Sequence, residues 1–384
     1  MKQLIDFLSQ DSSREFVADI QRQFPLTMNA TEKLIRSNPD KPIRELLTLF
    51  RLRQKAIKRI PEAEQLVFTE KGVMQSSSTV LGKYHAMLFA DYSSVADLCC
   101  GCGIDLMHLA KDKAKVIAVD LDQDSLLSAE FNCRTVGCNQ VEFRQIPAEE
   151  FAEDVDAVFA DPDRRPDAKR RNSPESISPP LSSLLDIQKR ITNMAIKLSP
   201  ILDYQTLALP DPATLQFVSE EGTLKEILLC LGELALPQVK RIAVQLPSGL
   251  TFAETGNSVS VQGIKQYLYE PDPAVIRAGL VQDLGAELDC TLIDSYLALL
   301  SADQYIENPW VKAFRVKEIM PYNKKQLQRY LTENNIGDLV IKPRGFPEET
   351  EDFKKKLKLK GNKKALMFIL RMGDKHRIVF CEVE

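Results

Sequence analysis

Apolar residues in the first 88 positions recur at helical spacing. Leu4, Ile5, Phe7 and Leu8 form one series, and Phe16, Val17 and Ile20 a second. Ile43, Leu46, Leu47, Leu49 and Phe50 form a third. Residues three and four apart share a helix face, so this stretch predicts helices. A basic run over 51–59 continues the third series and is expected on a solvated face. Pro61, which lacks an N–H, is expected to end that helix.

From residue 93 the pattern changes to short apolar runs alternating with helical stretches. Strands are expected over 95–98, 115–120, 141–143 and 156–161, with helices over 105–111 and 124–136. Such alternation with short connections predicts a parallel sheet covered by helices, an α/β Rossmann-like fold. Residues 162–180, rich in Pro, Arg and Ser, read as a loop over the carboxyl ends of the strands, where these sheets bind ligands. A helix is expected over 181–198, then strands at 227–231, 242–246 and 267–269. Glu270-Pro271-Asp272-Pro273 reads as a boundary. The closing strands are expected at 365–371 and 377–383.

At 384 residues, the chain is expected to hold two or three folding units. Hydrophobic residues make 44% and charged residues 27%, which excludes fibrous and wholly disordered classes. The net charge of −4 excludes a generally basic coat protein, but it is unevenly spread. Residues 311–384 hold 18 Lys and Arg against 10 Asp and Glu, densest over 354–360. A basic segment on an acidic chain points to an anionic partner. There is no apolar run long enough to span a membrane and no secretory leader pattern. The eight cysteines then read as reduced thiols, and a cytoplasmic location is expected. With three scattered histidines, no multi-histidine metal site is expected.

Candidate chemistry gathers after the first strand, at Asp97-Leu98-Cys99-Cys100-Gly101-Cys102-Gly103. A dinucleotide fingerprint needs a third glycine, and that position is Leu106. A phosphate-cradling loop needs a Gly-Lys-Ser/Thr ending, which is absent. A tight glycine turn without phosphate machinery suits a nucleoside with a cationic tail, such as S-adenosylmethionine. Asp120, at the end of the second strand, is placed to accept hydrogen bonds from ribose hydroxyls. Pro147 and Ala148 are placed to edge an adenine ring, and Asp97 to hold the methionine amino group. Cys99, Cys100 and Cys102 lack the two separated pairs of a zinc site and read as small turn residues.

DLCCGCG, VIAVDLD and VFADPDRR, in this order and spacing, resemble motifs of class I S-adenosylmethionine-dependent methyltransferases. The segment Met74-Gln75-Ser76-Ser77-Ser78-Thr79 resembles the lead-in of RNA-directed members, including trimethylguanosine synthase-like enzymes. More closely, the whole chain resembles bacterial methyltransferase-like proteins with a C-terminal THUMP-like domain. That resemblance rests on Lys197-Leu198-Ser199-Pro200 with Leu202-Asp203, on YEPDPAVIRAG at 269–279 and on KPRGFP at 342–347. It implies a helical extension over 1–88, a Rossmann-like methyltransferase domain over 89–270, a small ferredoxin-like segment over 271–313 and an α+β THUMP-like domain over 314–384. It also implies S-adenosylmethionine as cofactor, bounded by Asp97, Cys99, Gly101, Gly103, Asp120 and Ala148. THUMP domains bind RNA, so an rRNA or tRNA partner is implied.

Amino-methyltransferases of this superfamily often carry Asn/Asp/Ser-Pro-Pro-aromatic after the fourth strand. This chain has Asp161-Pro162-Asp163-Arg164-Arg165. Asp161 and Pro162 match, while the second proline and the aromatic do not. Asp161 is expected to orient the nucleophile, and Arg164 and Arg165 to bind an anionic part of the substrate. The alternative is that the arginines pair with Asp156 or Asp163 and order the loop. Lys354, Lys355 and Lys356 are expected to contact RNA, or else to form an ordinary solvated face. Tyr322, Tyr330 and Phe346 are stacking candidates, or core. Two other readings stand beside an RNA methyltransferase: a non-catalytic cofactor- or RNA-binding protein on this fold, and a methyltransferase of a small molecule or protein.

Overall fold

The computed structural model describes residues 1–164 and 173–384. They form two compact units, Met1–Gln216 with Glu226–Lys240, and Phe217–Lys225 with Arg241–Glu384.

The first unit opens with helices α1 (Lys2–Leu8), α2 (Arg14–Gln23), α3 (Met28–Ser37), α4 (Ile43–Ala56), α5 (Glu70–Gln75) and α6 (Thr79–Leu88). Side-chain caps start three of them. Thr27, Thr69 and Ser78 accept the N–H groups of Ala30, Gly72 and Leu81 at 3.3, 2.9 and 3.1 Å, satisfying donors that a helix start leaves unpaired. The apolar face of α4 is buried at Ile43, Leu46, Leu49 and Phe50.

The basic run after that face is not wholly solvated. Arg53 is buried, and its guanidinium donates to the carbonyl of Leu66 at 2.8 Å and to Gln21 at 3.1 Å. Arg59 donates to the carbonyls of Ser76 and Val73 at 2.9 and 2.5 Å. Their long apolar stems pack while their heads satisfy irregular backbone. Pro61 starts a short 3-10 turn, Pro61–Glu64, beyond α4.

Next come β1 (Ser94–Leu98), α7 (Ile104–Leu109), β2 (Lys115–Val119), α8 (Gln123–Thr135), β3 (Val141–Arg144) and β4 (Ala157–Ala160). After β4 a small antiparallel ribbon pairs β5 (Asp163–Arg164) with β6 (Ile177–Ser178). Helix α9 (Leu181–Gln188) leads to β7 (Asn193–Leu198). β8 (Ala213–Glu220) and β9 (Thr223–Leu231) complete this sheet's share of the unit, with the tip of their hairpin assigned to the second unit. The helix expected over 181–198 therefore stops at Gln188. Met194, Ala195 and Ile196 are fully buried in a strand between β4 and β9, and that tertiary slot overrides the local pattern.

The strands run in the order β3-β2-β1-β4-β7-β9. All neighbours through β7 are parallel, and β9 is antiparallel to β7. Chain order reverses between β1 and β4, the topological switch point where such sheets bind ligands at their carboxyl ends.

In the second unit, β10 (Arg241–Leu246) and β11 (Leu250–Ala253) form a hairpin. There follow β12 (Tyr267–Pro271), α10 (Pro273–Ala278), α11 (Val281–Glu287), β13 (Thr291–Leu292), β14 (Leu300–Ala302), β15 (Val311–Pro321), α12 (Lys324–Glu333), β16 (Ile336–Arg344), α13 (Thr350–Lys355), β17 (Lys363–Met372) and β18 (Lys375–Val383). A seven-stranded sheet has the order β13-β14-β12-β15-β18-β17-β16. Strand alternation splits its core: Met367 and Ile369 face one apolar cluster with α12 and Phe353, while Phe368 and Leu370 face another with Leu268 and Phe314. The expected boundary at 270–273 lies inside this unit. Pro271 closes β12, and Asp272 caps α10 by accepting the N–H of Ala274 at 2.8 Å.

Candidate active site

The turn after β1 is fastened to the end of β2. The N–H groups of Cys99 and Cys100 both donate to the carbonyl of Val119, at 2.8 and 3.0 Å. Cys99, Gly101 and Gly103 all have positive φ. The two glycines do different work. A Cβ on Gly103 would lie 2.9 Å from the Ala129 Cβ, so this residue lets the start of α7 approach α8. A Cβ on Gly101 would meet nothing within 4 Å, so the turn has open space there.

Asp97 is buried on β1, 1% exposed, and neither carboxylate oxygen has a hydrogen-bond partner among the described residues. Burial, with Asp105, Asp161 and Asp120 nearby, pushes its carboxyl well above the usual range. An unsatisfied buried acid costs about 1–3 kcal/mol, and a ligand's ammonium group would remove that cost. Asp120 accepts the N–H of Gly101 at 2.8 Å on Oδ2 and that of Asp122 at 2.8 Å on Oδ1. Each oxygen keeps a second lone pair for a hydroxyl. Ala148 is buried and begins a 3-10 turn, Ala148–Glu150, after β3. These residues fit a nucleoside with a cationic amino-acid tail.

Asp161 follows β4, and its N–H donates to the carbonyl of Leu98 at 3.1 Å. Its Oδ2 accepts from Lys197 Nζ at 2.7 Å. Burial raises the Asp161 carboxyl to about 6, against the pull of Lys197. A buried row of polar groups continues behind this pair. Lys197 Nζ donates to Ser77 Oγ at 3.1 Å, and Ser77 Oγ donates to Asp105 Oδ2 at 2.8 Å. Asp105 Oδ1 lies 2.8 Å from His85 Nδ1, and His85 Nε2 lies 2.6 Å from Glu226 Oε1. Burial alone would lower the His85 pKa, but Glu226 and Asp105 raise it to about 10. Burial likewise opposes ionisation of Asp105, yet His85 brings it down to about 2. Sequence reasoning did not single out His85 or Glu226. The available signal was a charge set directly before the apolar run 227–231.

The structure places the remaining expected residues unevenly. Pro162 is buried beside Asp161. Arg164 stands in β5, paired with Ile177 of β6. Arg165 lies outside the described residues. Among the described residues, Asp163 pairs with Lys71, and Asp156 accepts the N–H groups of Ser93 and Ser94 at 3.0 and 2.7 Å. Burial pushes the thiols of Cys99 and Cys100 well above their ordinary range and raises that of Cys102, which favours the protonated form. Among the described residues, no three of His, Cys, Asp or Glu gather as a metal site, and no helix is long and apolar enough to cross a membrane.

In the second unit, Lys354, Lys355 and Lys356 pair with Asp338, Asp352 and Glu348 at 3.1, 3.0 and 2.7 Å. Tyr322, Tyr330 and Phe346 pack against an apolar cluster, with Tyr330 stacked on Phe380 at 4.3 Å between centroids. Two sequence motifs meet here: Glu270 binds both Lys342 and Arg344.

A family profile described as a methyltransferase domain matches residues 95–166, and one described as THUMP domain-like matches 311–383. Two curated relatives are uncharacterized S-adenosylmethionine-dependent methyltransferases of Mycobacterium tuberculosis, strains CDC 1551 / Oshkosh and H37Rv. Each is 26% identical over 311 residues, covering 80% of this chain and 86% of the relative. A crystal structure from Porphyromonas gingivalis W83, provisionally named a methyltransferase, superposes with a TM-score of 0.78 at 18% identity. It covers 97% of this chain and 98% of that one, which shows a shared fold. The chain thus joins a methyltransferase domain to a C-terminal THUMP-like domain.

Proposed function

We propose that this protein transfers a methyl group from S-adenosylmethionine to an RNA base, with the basic segment 314–384 as the handle for the RNA. The observation that carries the cofactor reading is the buried, unpartnered Asp97 carboxyl beside the open Gly101 turn. When bound, S-adenosylmethionine supplies a sulfonium methyl group open to in-line displacement. Asp97 holds the amino group of its tail, Asp120 the ribose hydroxyls, Cys99 and the two glycines line the turn, and Ala148 edges the adenine.

Asp161 meets the nucleophile. As a carboxylate it accepts the hydrogen bond of the attacking amine and takes its surplus proton, with the Pro162 carbonyl as second acceptor. Arg164 and Arg165 bind an anionic part of the substrate, and Lys354, Lys355 and Lys356 contact phosphates. The RNA assignment is supported by the THUMP-like match and by the local basic excess. Eight free thiols fit the reducing cytoplasm.

The test is incubation with methyl-labelled S-adenosylmethionine and bulk RNA from cells lacking the protein. Label in RNA that disappears with Asp161→Ala supports the reading. A wild type that binds S-adenosylhomocysteine but labels no RNA favours the non-catalytic alternative, which rests on Asp163 and Arg164 standing where a proline and an aromatic are usual.

A further inference from the structure

Lys197 occupies an unusual place for a lysine. It is the fifth residue of β7, a strand otherwise buried at Met194, Ala195, Ile196 and Leu198. The register pairs Ala160 with Ile196, so Asp161 and Lys197 follow side by side at the carboxyl ends of parallel strands. Taking an ammonium group out of water is costly unless opposite charge and hydrogen bonds replace the water. Here Asp161 Oδ2 and Ser77 Oγ take two of its three donors, at 2.7 and 3.1 Å.

Ser77 works in both directions, accepting from Lys197 and donating to Asp105. Behind it, both ring nitrogens of His85 face carboxylates, so both carry protons and the ring is an imidazolium. Two cations, Lys197 and His85, thus stand between three acids: Asp161, Asp105 and Glu226. Among the described residues, Asp161 Oδ1 takes part in no hydrogen bond while Oδ2 is fixed.

We infer that Lys197 is a positioning residue for methyl transfer: backed by Ser77 and the Asp105–His85–Glu226 row, it fixes the Asp161 carboxylate at the strand ends and leaves Oδ1 as the acceptor for the nucleophile. This rests on the reading that Asp161 meets the nucleophile. Among the described residues, the groups facing Asp161 are Lys197 from β7, Asp97 from β1, Cys99 from the turn, Asp105 from α7 and Glu226 from β9, with His85 of α6 behind Asp105. Lys197 is, among the described residues, the cation in contact with it, so its loss leaves burial and like charge to drive the Asp161 carboxyl further up.

Two readouts separate this inference from the reading beneath it. The first needs no cofactor. The melting-temperature difference between wild type and Asp161→Asn is followed from pH 5 to 8; its slope with pH is expected to fade as pH rises, with a midpoint near 6. Repeated in a Lys197→Met background, the midpoint is expected to rise by about one pH unit or more, a tenfold change in proton affinity. An unmoved midpoint overturns the inference. The second is labelled methyl transfer to bulk RNA. Lys197→Met is expected to lose about twofold in kcat at pH 7 for a midpoint rise of about one pH unit, and about tenfold for a rise of about two, and to recover as pH rises, with S-adenosylhomocysteine binding retained and Lys197→Arg restoring the rate. Should Lys197→Met not fold, Ser77→Ala keeps both charges; it is expected to lower kcat with binding retained, and an unchanged kcat overturns the inference. If Asp161→Asn transfers methyl at the wild-type rate while the thermal midpoint still moves with Lys197, the reading of Asp161 fails and the coupling stands.

Discussion

His85 Nε2 lies 2.6 Å from Glu226 Oε1, between residues 141 positions apart. The ring is fully buried, and its other nitrogen meets Asp105. Helix α6 is thereby tied to β9 and to α7, and the tie ends at the Asp161–Lys197 pair.

Removing the imidazolium strands two buried acids. His85→Gln is expected to destabilise the protein by about 3–5 kcal/mol in urea unfolding. The pH dependence has a definite sign. His85 is raised from 6.5 to about 10, so its stabilisation is complete below 6.5 and fades as pH climbs toward 10. Asp105 is lowered from 3.8 to about 2, so its share holds above 3.8 and fades as pH falls toward 2. His85→Gln should flatten the alkaline slope.

Asp97 is expected to behave in the opposite way. Its carboxyl titrates well above the ordinary range, so ionising it costs the folded state stability as pH rises above 3.8. Asp97→Asn should remove that slope and leave the protein at neutral pH as stable as wild type or more so. The same variant should weaken S-adenosylhomocysteine binding about tenfold or more, because an amide cannot pair with an ammonium group. Thermal melts with calorimetry check both.

The two glycines of the turn should separate by phenotype. Gly103→Ala forces a Cβ to 2.9 Å from Ala129 at φ +79°, and is expected to cost about 1–3 kcal/mol of stability. Gly101→Ala meets no atom within 4 Å, so beyond about 1–2 kcal/mol for its positive φ the loss should fall on cofactor binding. Unfolding midpoints and calorimetric affinities of the two variants distinguish these effects.

For the proposed RNA handle, the triple variant of Lys354, Lys355 and Lys356 to alanine should barely move the unfolding midpoint, since solvent-accessible ion pairs contribute little. Its RNA affinity should fall, and log K against log salt should become shallower by about 0.7 per lost phosphate contact with single strands. An unchanged salt slope would place the handle elsewhere.

Much of this site is local in sequence, and that part was legible. Asp97, the glycine turn and Asp120 are spaced along one strand–turn–helix–strand unit, so spacing alone brought them together. The parallel sheet was legible for the same reason, from alternating strand and helix periods. The row from Lys197 to Glu226 was not, because its members are single polar residues in otherwise apolar segments, joined only by folding. Arg53 and Arg59 misled for a related reason: a basic run looks solvated until tertiary carbonyls claim individual guanidiniums. Residues 193–198 carry an apolar run short enough for helix or strand, and the slot between β4 and β9 decided between them.

The measurement to make is calorimetric titration with S-adenosylmethionine and S-adenosylhomocysteine, for wild type and for Asp120→Ala. Micromolar binding by wild type that the substitution abolishes is the expected result, because the Asp120 carboxylate ties the turn at Gly101 and is proposed to hold the ribose. A folded wild type that binds neither compound would contradict the assignment of the cofactor site and, with it, the methyltransferase activity.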